Sequence, residues 1–376
     1  MKKRILYTAL GTLGLSAAGF AQIPDLLNTI DAGSRSMGAG SAFGVTSADT
    51  QSILNNPAGI GFLSSKTFGI AYRNMPKSTT QIFGDIANPT YSSTGQSGKT
   101  QLAHFGYAFP LKKGGTFGFS YQVTGYLDDF RSGTNVTIGG FSGATYDEAV
   151  KAKTAMYTLA IGRTNGAGDK SFGWGLTIAN LDLRDRQLGF VPGNPQTVLI
   201  DADNSASTWG VGLVAGFQSI PANRPNTTIG GSIRTPIKMS SNTFANGVYD
   251  VLPGQASFGM ATRKDRLRGK DDYLILGGQA SYYFGGSGTG LFDRNNQFVF
   301  GLGAEYNIVR DSATIPIRVG LSSIASGGSQ FGDRNAFTFG FGYRPKAQPW
   351  SVDLNYGKPN GGGSDFAFAF NYRVEK

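Results

Sequence analysis

Arg234, Arg318, Arg344 and His104 are the side chains of this sequence with the chemistry to hold a polar or anionic ligand. A guanidinium offers a planar fork of donors that grips a carboxylate through paired hydrogen bonds. The same fork closes ion pairs with acids of its own chain. Strand parity puts Glu305 and Asp353 on the same inner face as the three arginines. Internal pairing, with those acids or with a segment filling the interior, is therefore the expected arrangement, and a ligand carboxylate is the alternative. His104 is the single histidine and cysteine is absent. Nothing supplies a thiolate nucleophile or a thiolate metal site, and metal coordination or histidine-based catalysis is poorly provided for. We expect no catalytic residue, no metal, no cofactor and no enzyme activity. His104 reads as a hydrogen-bonding residue of an enclosed interior.

The elements that must position these residues are strands. Phe117, Phe119, Tyr121 and Val123 alternate with Gly118, Ser120, Gln122 and Thr124. The same period of two runs through Phe172, Trp174, Leu176 and Ile178, and again through Trp209, Val211, Leu213, Ala215 and Phe217. It is plainest near the C-terminus, in Phe337 to Tyr343, Trp350 to Tyr356 and Phe366 to Tyr372. Strict alternation over such lengths means strands with one apolar face. The other face carries glycine, small hydroxyls and amides with few lysines, which suits an enclosed lumen better than a water-facing surface. Tyr72, Tyr107, Trp174, Trp209, Tyr343, Trp350 and Tyr372 sit where interfacial girdles would.

The alternation predicts roughly fourteen strands closing into an all-β, antiparallel transmembrane barrel. We place them at 66–73, 100–111, 115–126, 152–163, 171–182, 207–217, 227–238, 255–263, 272–284, 297–308, 314–322, 336–344, 349–357 and 365–374. Long connections are expected at 74–99, 127–151, 183–206, 239–254, 285–296 and 323–335, and short ones at 112–114, 164–170, 309–313 and 345–348. Short turns on the periplasmic side and long loops outside put both termini in the periplasm.

Ahead of the strands, Lys2-Lys3-Arg4, the apolar run Ile5 to Ala18 and Gly19-Phe20-Ala21 form the three parts of a signal peptide, residues 1–21. No later stretch approaches the ~18–20 apolar residues of a spanning helix. Export followed by residence in the outer membrane is the expectation. The formal charge of +10 does not point to nucleic acid, because the basic run from Arg263 to Lys270 reads as a solvated turn.

Residues 22–65 do not alternate. They are rich in small residues and fit inside whatever the strands enclose, as a hatch before the barrel of 66–376. Within them, Gly33-Ser-Arg-Ser-Met-Gly-Ala-Gly-Ser-Ala-Phe43, Ser47-Ala-Asp49 and Asn56-Pro-Ala-Gly-Ile60 resemble the N-terminal hatch of the FadL-type outer-membrane transporter superfamily. That superfamily includes long-chain fatty acid and aromatic hydrocarbon channels and the PorV-like proteins of type IX secretion. Further similarity recurs in Leu252-Pro-Gly-Gln-Ala-Ser-Phe-Gly-Met260, Gly303-Ala-Glu-Tyr306 and Pro316-Ile-Arg-Val-Gly-Leu321. The chain departs from it in ending Tyr372-Arg-Val-Glu-Lys376, and in the polar, proline-marked stretch from Leu183 to Pro192.

The resemblance implies a hatch motif of Asn56, Pro57, Ala58 and Gly59 inside a fourteen-stranded barrel. Its function would be uptake of a hydrophobic small molecule, a fatty acid or hydrocarbon, held in the lumen and passed sideways through a kinked wall. The alternative it carries is a PorV-like shuttle that binds secreted proteins and the secretion machinery. Outer-membrane lipids including lipopolysaccharide, and the barrel assembly machinery, are the other implied partners.

Overall fold

The computed structural model describes residues 35–374, apart from 75–76, 86–87, 97, 113, 194–196, 241–250, 268–270, 287–296, 325–333 and 360–363. The signal-peptide expectation, and residues 22–34 of the expected hatch, lie outside the described residues.

The wall strands are β1 (Lys66–Asn74), β4 (Thr100–Pro110), β5 (Thr116–Ile138), β6 (Phe141–Thr164), β7 (Lys170–Val191), β8 (Thr197–Ser219) and β9 (Thr227–Arg234), followed by β12 (Gly254–Lys264), β13 (Tyr273–Phe284), β14 (Gln297–Val309), β15 (Ala313–Ile324), β16 (Arg334–Pro345), β17 (Trp350–Pro359) and β18 (Asp365–Val374). Each pairs antiparallel with its neighbours, and β18 returns to β1, so fourteen strands close the ring. Closure gives every wall strand two neighbours, the condition for a sheet to lie in lipid. Among the described residues, no helix is long and apolar enough to cross a membrane.

Parity explains which side faces lipid. Phe172, Trp174, Leu176 and Ile178 of β7 are exposed, and so are Trp209, Val211 and Leu213 of β8. A continuous apolar belt of this kind would not be tolerated in water. The belt ends sharply on β7, where the next outward positions are Asn180, Asp182, Arg184 and Arg186. Rings mark its limits: Tyr121, Tyr157 and Trp209 form a chain of contacts at 5.2 and 6.0 Å, and at the short-turn end Tyr343 lies 5.7 Å from Trp350.

Three expectations about the connections are corrected. Stretches 127–151 and 183–206 are not loops: β5 to β8 run for 23, 24, 22 and 23 residues and continue as sheet beyond the belt. Gly139 and Gly140, at φ of 57° and 89°, make the tight turn between β5 and β6 that only positive φ allows. Stretch 74–99 is likewise a hairpin, β2 (Lys77–Asp85) and β3 (Asn88–Gln96), with β2 lying parallel against β5 from Ser78↔Asp129 to Ile82↔Gly133. The strand expected at 227–238 stops at Arg234. Pro236 has no N–H for a ladder, and the following β10 (Ile237–Lys238) pairs with β11 (Val251–Leu252) on the inner side of β8, where Gly210 and Gly212 make room.

Residues 35–65 carry two 3₁₀ turns, at Met37–Ala39 and Pro57–Phe62, and one helical turn at Ser52–Asn55. Met37, Phe43, Ile53 and Ile60 are buried. Their neighbours are the inward positions of the wall, such as Gly118 beside Ile53 and Gly277 beside Phe43.

Candidate functional site

Two fastenings of the inner segment to the wall carry the polar candidates. The first is the Asn56 side chain. Its Nδ2 donates to the Val45 carbonyl at 2.7 Å and to the Phe217 carbonyl of β8 at 3.0 Å, while Oδ1 accepts from the Ala58 amide at 3.3 Å. Gln218 Nε2 reinforces the seam by donating to the carbonyls of Val45 and Ser47, each at 2.8 Å. Pro57 opens the 3₁₀ turn, where its missing N–H costs nothing. The Ala58 carbonyl accepts from Ser171 Oγ of β7 at 2.7 Å. Gly59 lies so close to the Ser47 carbonyl that a Cβ would overlap it.

The second fastening is electrostatic. Arg35 Nε donates to Glu305 Oε2 at 2.7 Å, and Arg318 Nε donates to the same oxygen at 2.6 Å. Arg318 Nη1 donates to Asp353 Oδ1 at 2.6 Å, and Asn307 Nδ2 to Glu305 Oε1 at 3.0 Å. Arg344 stands farther off, 3.9 Å from Glu305. Arg318 and Glu305 are fully buried. Burial strips both of water, so the pairing geometry must replace that hydration, and removing either partner strands a charge.

The two remaining candidates lie elsewhere. Arg234 ends β9 opposite Val214 and Gln255. It is buried, makes no ion pair among the described residues, and its Nε has no hydrogen-bond partner. His104 of β4 is buried and places Nε2 3.0 Å from Thr50 Oγ1 of the inner segment. The structure therefore gathers Arg318 and Arg344 around Glu305, and leaves Arg234 and His104 outside that group.

Sequence reasoning missed a local break in the wall. The β4–β5 ladder ends at His104↔Gln122, and beyond it β5 has lost β4 as a neighbour. The β5–β6 register shifts between Val123 and Gly125, and the β1–β4 register shifts between Ala71 and Tyr72. Ala103, Val123 and Tyr126 pack together at the parting, with Tyr121 against them. No residue signature announces this, because Val123-Thr124-Gly125 reads as ordinary strand.

A separate polar cluster occupies the sheet extension above the belt. Arg131 donates to Asp129 Oδ2 at 2.7 Å and to Glu148 Oε2 at 3.0 Å, and Gln187 Nε2 donates to Asp185 Oδ2 at 2.7 Å. Burial pushes the Glu148 carboxyl up to about 7, with Arg131 opposing and Asp185 adding to the rise. Burial also raises Asp185. Among the described residues, no group of acids and histidines has the geometry to hold a metal ion.

No family model matches the sequence, and no curated protein matches it. Solved structures do. A Pseudomonas aeruginosa FadL homologue aligns at TM-score 0.58 and 17 % identity over 95 % of this chain and 100 % of its own. The Pseudomonas putida toluene transporter TodX aligns at 0.59 and 11 %, over 96 % and 99 %. The monoaromatic hydrocarbon channel CymD aligns at 0.58 and 11 %, over 93 % and 99 %. All three matches run nearly end to end on both chains, and the chain carries the FadL-type barrel fold.

Proposed function

We propose that this protein is an outer-membrane channel for hydrophobic small molecules, hydrocarbons or fatty acids. In this reading they enter from the extended-sheet end and leave sideways where β4 and β5 part. The observation that carries it is that parting. A ladder that stops at His104↔Gln122, next to a register shift at Val123/Gly125, replaces hydrogen-bonded wall with the side chains of Ala103, Val123 and Tyr126. Side chains can move aside at far lower cost than a hydrogen-bonded ladder can open, and the parting lies next to the Tyr121–Tyr157 pair at the outer limit of the belt. The apolar belt supports placement in a membrane, and the named activities of the TodX and CymD relatives support the ligand class.

In the same reading, residues 22–65 are the hatch and both termini are periplasmic. Arg234, buried with no ion pair among the described residues, is the contact for a ligand carboxylate.

Absence of cysteine allows a direct test. A103C/V123C, closed by oxidation or a short bis-maleimide, pins the two strands together. Uptake of labelled toluene or oleate by cells carrying the locked barrel should fall at least tenfold, and reduction of the disulfide should restore it. Undiminished uptake by the locked form would reject the lateral route. Loss of oleate uptake but not toluene uptake in R234Q would assign the arginine its role.

A further inference from the structure

Toward the short-turn end, between the inner segment and the wall strands β1 and β16 to β18, lies a cavity of about 430 Å³. That falls within the range of about 300–1,000 Å³ typical of small-molecule sites. Two guanidinium groups line it that make no side-chain hydrogen bond among the described residues. Arg344 comes no nearer than 3.9 Å to Glu305, whose Oε2 is already taken by Arg35 and Arg318. Arg373, at an inward position of β18, makes no side-chain hydrogen bond or ion pair among the described residues.

The acids lining the cavity are already engaged. Asp353 accepts from Arg318, and Asp49 Oδ1 accepts from the amides of Gln51 at 2.9 Å and Ser52 at 3.3 Å while its charge also attracts Arg35 and Arg373. Arg35, Arg344 and Arg373 against Asp49 and Asp353 leave a surplus of one positive charge on the lining. His104 also lines the cavity and is buried. Gln51 is buried there too, and its Oε1 has no hydrogen-bond partner among the described residues. Buried polar atoms in native proteins are nearly always satisfied, so an unpartnered one at a cavity points to an occupant. The rest of the lining includes Ala48, Ala71, Pro345, Pro349 and Ala369, which offer no polar side chain.

We propose that this cavity binds a compact carboxylate, with the anionic head between Arg344 and Arg373 and the apolar body toward Ala71 and Ala369. One surplus positive charge matches a monoanion rather than a phosphate dianion, and the apolar part of the lining suits a short hydrocarbon or aryl body. The site lies on the short-turn side of the parted strands and does not depend on passage through them.

Calorimetry on the purified full chain in neutral detergent, with phenylacetate as the probe and 2-phenylethanol as its uncharged analogue, tests this. Saturable binding of phenylacetate is expected, at least tenfold weaker in R344Q/R373Q and unchanged in R184Q. Equal binding of the alcohol, or wild-type affinity in the double variant, would overturn the proposal. A second readout needs no variant. Phenylacetate should slow modification of Arg344 and Arg373 by phenylglyoxal, followed by peptide mass spectrometry, while exposed Arg184 reacts at an unchanged rate. Absence of that protection would overturn the site even if the double variant failed to fold.

Discussion

Arg35 of the inner segment donates to Glu305 of β14 at 2.7 Å across 270 positions of sequence. The same carboxylate oxygen accepts from Arg318 of β15, so one acid holds two wall strands together and the segment to both. Breaking a buried pair by removing one partner costs about 3–5 kcal/mol, because the other charge is stranded. E305Q should lose stability of about that size in urea unfolding of the micellar protein. R35Q should lose no more than about 2 kcal/mol, since Arg35 is 25 % exposed and the Glu305–Arg318 pair survives. Its effect should be local, with faster hydrogen exchange confined to residues 35–60. Equal destabilisation by both variants would deny Glu305 its central place.

Asn56 acts as a bolt through its amide. Both acceptors of Nδ2 are carbonyls, one in the segment and one in β8. N56A should cost about 1–3 kcal/mol, the range for leaving buried carbonyls unsatisfied. N56D keeps the shape but removes the donors and aims a carboxylate at two carbonyl oxygens, so it should be worse than N56A. Unfolding midpoints of the two variants, compared with wild type, settle the order. If N56D matched wild type, the donor role would be wrong.

The wall was legible because lipid imposes a demand on every second residue. Phe337 to Tyr343 and Phe366 to Tyr372 alternate without interruption, and β16 and β18 stand where that pattern put them. The demand ends with the membrane. In the extension the outward positions become Arg184 and Arg186, which pair with Asp203 in water. Alternation of polar with small residues looks like loop, and so these strands were missed. Pro236 was visible, yet Ile233, Thr235 and Ile237 carry the period across it. Parity also placed Arg318, Glu305 and Asp353 on one face. It was silent on Arg35, which belongs to a segment with no period, and on whether Arg234 meets an acid, which depends on what faces it across the lumen.

Gly320 of β15 shows how closely the segment lies on the wall. A Cβ there would overlap the Ala39 carbonyl carbon and the Gly40 amide. Those atoms have little freedom to move, because the Gly40 amide donates to Thr338 Oγ1 at 2.8 Å and Gly303 meets Ala39 as well. Overpacking of this kind typically costs about 1–3 kcal/mol. G320A should therefore lower the unfolding midpoint and raise proteolysis within residues 35–45. G166A, in a turn where an added Cβ meets nothing within 4 Å, is the control and should leave both unchanged.

The extension should loosen as pH rises. Burial lifts the Glu148 carboxyl from 4.5 to about 7 in the folded protein, so between those values the folded state binds the extra proton. Stability then falls with rising pH. The contribution is full below about 4.5, declines through the window to about 7, and is flat above it. Asp185, raised by the same burial, acts in the same direction. Ionising both leaves Asp129, Glu148 and Asp185 around Arg131 in one hydrogen-bonded group of the described residues. Hydrogen exchange in residues 129–148 and 183–190, corrected for the intrinsic pH dependence, should therefore accelerate between pH 4.5 and 7. The belt strands should not follow. E148Q fixes the neutral form and should flatten most of that response; an unaltered profile would place the titrating group elsewhere.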